Sequence, residues 1–182
     1  MLRTRFSTVY LLHGLGGSPA GSVLQLQTEL ASLAKDRTYI RPLLPHADSS
    51  VAPSISVENL KALELPEGAL VVGISMGGLV AAKLQEIGRQ DLHVICISSP
   101  VWAVDVELHR RVEHRIALYS SMDQVIAGRT ERWPQLADAF DLAWLNNHDI
   151  DPHKRRLALI LCRYMDTGAI MFDQENVIGK QE

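Results

Sequence analysis

The chain has 182 residues, a formal net charge of −3, 47% hydrophobic and 21% charged residues, and two cysteines. A chain of this length buries about 70% of its unfolded surface, so neither a disulfide nor a metal is needed to hold a core, and the composition argues against disorder. The mild acidity speaks against nucleic-acid binding, Cys96 and Cys162 do not form a CxxC motif, and no apolar run approaches the roughly 18–20 residues of a membrane span.

The first residues, Met1-Leu2-Arg3-Thr4-Arg5, run into a strand-like stretch with no apolar signal-peptide core. A cytoplasmic location and one domain over residues 1–182 are therefore expected. Residues 6–12 (FSTVYLL) are rich in β-branched and aromatic residues, as a buried strand requires. Gly14, Gly16, Gly17, Ser18 and Pro19 then make a turn. Residues 22–34 place Val23, Leu26, Leu30, Leu33 and Ala34 on one face of an amphipathic helix. A second strand over 38–41 stops at Pro42, and 42–53, with its prolines and polar stretch, reads as a loop. A helix over 56–65, capped by Ser54 or Ser56, is closed by Pro66. Residues 68–72 are the third strand, and 75–87 the next helix, stopped by Gly88. Residues 92–97 are the fourth strand, followed by a turn and a short helix over 104–112. Residues 115–119 are the fifth strand, 128–137 a weak helix broken by Pro134, and 140–145 the sixth strand. Asp151 caps a last helix that begins at Pro152 and runs to 165. The final residues, Gly179-Lys180-Gln181-Glu182, are expected to fray.

Strands alternating with helices mean right-handed βαβ units. The expected fold class is α/β: a three-layer sandwich with a mostly parallel sheet of about six strands and helices on both faces. In such sheets chemistry collects at the carboxyl ends of the strands, and four groups of residues fall there. Gly73-Ile74-Ser75-Met76-Gly77, with Gly78 next, is a G-x-S-x-G pattern between strand and helix, which pushes a serine hydroxyl outward on a strained turn. Read blandly, it is a glycine-rich turn with a serine cap. His13-Gly14-Leu15-Gly16-Gly17 follows the first strand and can aim a backbone N–H at a developing oxyanion, with Leu15 and Met76 as the donors. With no lysine after its glycines, it does not read as a phosphate cradle. His13 reads as a hydrogen-bonded structural residue at the substrate wall, beside Gly14.

Asp123 lies just past the fifth strand and can orient a histidine, with Asp105 in reserve. His148, past the sixth strand, is the expected general base. His153 is its rival, but its helical position turns it to solvent. His46, in the loop after the second strand, is placed to line a pocket. Trp102 follows a strand end and is placed at the acyl site, while Trp133 and Trp144 read as core or pocket wall. His109-Arg110-Arg111 and Lys154-Arg155-Arg156 read as solvated helix faces.

With these residues in view, the chain resembles the α/β-hydrolase superfamily from about residue 9 to 165. HGLGG and GISMGG are similar to its oxyanion turn and nucleophile elbow. YSSMDQVI looks like the acid-bearing segment of small cap-less bacterial lipases, and HGLGGSP with the later LLP is similar to compact bacterial esterases. The order Ser, Asp, His is that of this fold. The resemblance implies Ser75 as nucleophile, Asp123 as acid, His148 as base, and Leu15 and Met76 as oxyanion donors. One departure stands out: the family's glycine before the histidine is Asn147 here. The N-terminal antiparallel hairpin of larger members is not expected, since only a few residues precede the first strand, and the short segment between the fourth and fifth strands leads to an absent or rudimentary helical lid.

The expected function is serine-dependent hydrolysis of a carboxylic ester or thioester through an acyl-serine. No cofactor and no metal are expected. The expected partner is a small acyl substrate, with no nucleic acid and no membrane span, and a homo-oligomer is left open. Two alternatives stand beside it: a non-catalytic binding domain of the same fold, and an amidase, perhydrolase or C–C hydrolase with the same residues.

Overall fold

A computed structural model describes residues 6–172. The readings of residues 1–5 as a direct lead-in and of 179–182 as frayed lie outside the described residues. In chain order the elements are β1 (Thr8–Leu12), α1 (Ser22–Leu33), β2 (Thr38–Ile40), α2 (Pro53–Ala62), β3 (Leu70–Ile74), α3 (Met76–Ile87), β4 (His93–Ile97), β5 (Trp102–Ala103), β6 (Val106–Glu107), β7 (Arg115–Tyr119), α4 (Trp133–Leu136), β8 (Asp138–Asp141) and α5 (Lys154–Thr167). Single 3-10 turns sit at Pro45–Ala47 and Asp151–His153.

Six strands form one sheet in the order β2-β1-β3-β4-β7-β8, and all its pairings are parallel. β3, β4 and β7 are buried along their whole length, because helices cover both faces. The strand period of two sorts their side chains. Leu70, Val72, Ile74, Ile95, Ile97, Ile116 and Leu118 join the core under α1 and α5, while Val71, Val94, Cys96, Ala117 and Tyr119 join the core under α2, α3 and α4. On α1, Val23, Leu26 and Leu30 are fully buried, each contributing about 1.5–3 kcal/mol of apolar burial. The three-layer α/β sandwich is thus the observed fold.

One charge is buried in this frame. The Arg115 side chain is fully enclosed and donates from Nε to Gln85 Oε1 at 3.0 Å, from Nη1 to Arg110 O at 2.9 Å and Leu136 O at 3.3 Å, and from Nη2 to Ala82 O at 3.0 Å, with Glu86 Oε2 3.9 Å away. Every guanidinium nitrogen finds an acceptor, which is the condition for burying a cation.

Several expected elements differ. The helix expected over 104–112 is instead an antiparallel hairpin, β5 with β6, turned at Asp105 with φ 60°. Aspartate tolerates that left-handed conformation, and the short apolar alternation pairs across the turn rather than winding a helix. The helix expected over 128–137 shrinks to Trp133–Leu136, with Pro134 in its first turn. The sixth strand lies at Asp138–Asp141 rather than 140–145. Its register runs Ile116↔Asp138 to Tyr119↔Asp141, and Leu142 and Leu145 fill the core from a turn beyond it. α2 starts three residues early, with Pro53 in its first turn and no side-chain cap. α5 is preceded by the 3-10 turn, so Asp151 does not cap it.

The two basic clusters tie elements together. Arg111 donates to Ala137 O at 2.7 Å, and Lys154 and Arg155 reach Gln25, Glu29 and Ser32 on α1. No described helix is long and apolar enough to cross a membrane.

Candidate active site

Ser75 sits between β3 and α3 with φ 51° and ψ −121°, a positive-φ conformation that an L residue adopts only at a cost of about 1–3 kcal/mol. The surrounding glycines make the turn possible. A Cβ on Gly73 would stand 2.3 Å from the Gly77 carbonyl carbon, and one on Gly77 would stand 2.5 Å from the carbonyl oxygens of Leu12 and His13. The Ser75 amide donates to Ile97 O at 2.8 Å, anchoring the turn to β4.

Strand order sets the rest. β7 lies two strands from β3 and β8 three, so at about 4.8 Å per strand the loops after them start roughly 10 and 14 Å away. Both loops lean back toward Ser75. Asp123, almost fully buried, is fixed at Oδ1 by the Val125 amide at 3.0 Å, and its own amide donates to Ser120 O at 3.1 Å. Its Oδ2 takes the hydrogen bond from His148 Nδ1 at 2.8 Å. The other ring nitrogen, Nε2, stands 2.9 Å from Ser75 Oγ. With Nδ1 bound to a carboxylate, Nε2 is left as the acceptor for the serine proton.

Asn147, standing where the resemblance leads to a glycine, has a local role. Its Oδ1 accepts the Asp149 amide at 3.2 Å, and Asp149 Oδ1 accepts the Asp151 amide at 3.0 Å. These side-chain turns carry the His148 loop back over the sheet.

Beside Ser75 lies a half-open cleft of about 360 Å³, walled by His13, Gly14, Leu15, Ser18, Ile74 and His148 among others. Gly14 is packed directly on Ser75. The amides of Gly16 and Gly17 are taken by His46 O and Gly14 O, and those of Gly78 and Leu79 by Ser75 O. The Leu15 and Met76 amides, one from each side of the serine, have no backbone acceptor among the described residues.

His13 lines the cleft, but both ring nitrogens are engaged: Nε2 accepts the Leu44 amide at 3.0 Å, and Nδ1 faces Gly14 O at 2.9 Å. Trp102 is not in the cleft lining. It stands on the hairpin under the Arg129 guanidinium, 4.1 Å from the ring centre. Asp105 accepts the Ser54 hydroxyl and does not reach the histidine. His153 lies half-buried, edge-on to Trp144 with ring centres 5.6 Å apart, rather than turned to solvent. Cys96, on the neighbouring strand, gives its thiol hydrogen to Gly78 O, and burial pushes its pKa up to about 12, so it offers no rival nucleophile.

His46 is also placed differently from the sequence reading. It does not line the cleft but is fully buried behind it. Its Nε2 donates to His13 O at 2.9 Å, and its carbonyl takes the Gly16 amide at 2.9 Å. Burial pushes its ring below the usual histidine range.

The model of the alpha/beta hydrolase family matches residues 9–172. No curated protein matches the sequence. Among solved structures, the ydeN gene product of B. subtilis superposes with a TM-score of 0.66 at 16% identity, covering 87% of this chain and 98% of that one. A serine hydrolase involved in carbazole degradation gives 0.65 at 13% identity, covering 88% and 91%. Mouse alpha/beta hydrolase domain-containing protein 10 gives 0.65 at 10% identity, covering 89% and 90%. At these identities the likeness is one of fold.

Proposed function

The chain belongs to the alpha/beta hydrolase family, and from that premise we propose that it is a serine hydrolase that cleaves a carboxylic ester or thioester. The observation that carries this reading is the unbroken relay from Ser75 Oγ through His148 to Asp123, at 2.9 and 2.8 Å. Ser75 Oγ attacks the acyl carbon while His148 Nε2 takes its proton. Asp123 stabilises the imidazolium and holds its tautomer. The tetrahedral oxyanion is received by the Leu15 and Met76 amides, each worth about 10²–10³ in kcat. The C–O or C–S bond breaks as Nε2 returns the proton to the leaving group. Water then attacks the acyl-serine with His148 again as base, releasing the acid and Ser75.

The size and openness of the cleft support small or flexible acyl groups. The choice of ester over amide rests on the resemblance of YSSMDQVI to small lipases.

The test is turnover of short p-nitrophenyl esters and thioesters by the wild type and by Ser75→Ala, together with covalent labelling by a fluorophosphonate. The expected result is labelling at Ser75 and a loss of turnover by several orders of magnitude in the variant. Equal turnover in the two proteins removes Ser75 from the mechanism. Absence of both labelling and turnover across pH 6–9 supports a binding domain of the same fold instead.

A further inference from the structure

The oxyanion turn does not hold itself. Its internal backbone bond is Gly17 N–H to Gly14 O at 3.1 Å. Three other bonds leave the turn for residues 44–46: the Gly16 amide to His46 O, the His46 ring to His13 O, and the Leu44 amide to the His13 ring, at 2.9, 2.9 and 3.0 Å. The His13 carbonyl is therefore clamped between the His46 ring on one side and the close-packed Gly77 backbone on the other. His46 is itself fixed from α2, where Ser56 Oγ takes its amide at 3.0 Å.

We propose that His46 is a positioning residue for the reaction: its neutral ring, protonated on Nε2, holds the His13 carbonyl and so sets the direction of the Leu15 amide two residues on. This rests on the reading of Leu15 as an oxyanion donor.

The hydrogen-bond chemistry fixes the protonation state. A carbonyl only accepts, so Nε2 must carry the hydrogen. Nδ1 is then bare, buried, and without a partner. A second proton there would bury a cation with no acceptor. The titratable group facing it is His13, with ring centres 4.8 Å apart. His13 offers it no acceptor, because its Nε2 takes the Leu44 amide and its Nδ1 faces Gly14 O. The nearby carboxylates are spent elsewhere: Asp48 on the Ser50 amide and hydroxyl, and Asp105 on Ser54 at the start of α2. Acid thus has no route to stabilise a charged His46 in place. The ring therefore works as the neutral Nε2–H tautomer, whose one hydrogen is given to the His13 carbonyl.

The test uses steady-state kinetics on a short p-nitrophenyl ester, with thermal unfolding as a check on folding. His46→Leu removes the donor at similar volume, and the expected loss is about 10- to 100-fold in kcat with KM within about twofold. His46→Gln retains a donor that cannot take up a proton. It is expected to recover most of kcat, with KM again within about twofold. A folded His46→Leu with unchanged kcat, or with a loss confined to KM, overturns the proposal. So does a folded His46→Gln whose kcat falls as far as that of His46→Leu, and, if His46→Leu does not fold, a folded His46→Gln whose kcat falls tenfold or more. Fluorophosphonate labelling separates the failures: labelled Ser75 with indifferent His46 variants sinks this proposal alone, whereas no labelling and no turnover sinks the serine mechanism with it.

Discussion

Asp123 holds His148 with one carboxylate oxygen, at 2.8 Å, while the Val125 amide occupies the other at 3.0 Å. The carboxylate is buried to 1% exposure, so neither oxygen can swing to water. Asp123→Asn keeps the volume but offers His148 an amide in place of an anion, and it favours the wrong ring tautomer. Ester turnover should fall about 10⁴-fold with the melting temperature little changed. A loss of less than tenfold would mean that Asp123 does not orient the base.

Ser75 carries backbone strain that glycine would not. Ser75→Gly should abolish turnover yet raise stability by about 1 kcal/mol, the relieved strain exceeding the extra freedom glycine gains when unfolded. Urea denaturation of the two proteins measures it, and a lower midpoint for the variant would refute stored strain at this turn.

The two glycines behind the serine are steric requirements. Gly73→Ala or Gly77→Ala drives a methyl into backbone at 2.3 or 2.5 Å, where nothing flexible can move aside. Each should cost about 3 kcal/mol or more, read as a lower urea midpoint or as insoluble protein.

Arg115 satisfies four acceptors and faces Glu86 inside the core. Arg115→Met fills the space but strands those groups, and should destabilise by about 3 kcal/mol. Arg115→Lys, with one ammonium for a planar fork, should recover only part of it. Equilibrium unfolding distinguishes the three proteins.

Acid stability should show the Arg89–Asp91 pair. Two Arg89 nitrogens reach the Asp91 carboxylate at 2.8 and 2.9 Å, and the guanidinium holds its pKa down to about 2 from 3.8. Because the folded pKa is the lower one, the stabilisation is complete above about pH 4 and is lost as pH falls toward 2. Solvent screening limits it to about 1 kcal/mol. Asp91→Asn should flatten the stability curve in that window, as followed by denaturant midpoints at successive pH values.

What could be read from the sequence was what is local in it. Gly73, Ser75 and Gly77 lie within five residues, and the Gly73 clash is internal to that turn, although Gly77 is pressed against the carbonyls of Leu12 and His13 at the end of β1. The buried strands announce themselves by apolar runs. The edge strand β8 does not: its residues are half-exposed and two of its four are aspartates, so the apolar run just beyond it drew the assignment too far. The hairpin at 102–107 depends on one positive φ at Asp105. His46 and His13 are 33 positions apart, and their bond follows from how α2 seats the intervening loop rather than from any pattern in the residues between. Placement just past a strand singled out Asp123 and His148, with Asp105 and His153 beside them, and the resemblance gave the chosen pair their expected roles.

Ser75 and His148 are separated by 73 residues of chain, and α5, which follows His148, docks on α1. A partly synthesised chain can complete its first three strands and the serine turn while the imidazole is still inside the ribosome. The proposed relay can therefore close only after all six strands of the sheet have been made. A fragment ending before residue 148 would display the alcohol harmlessly, with nothing beside it to take its proton.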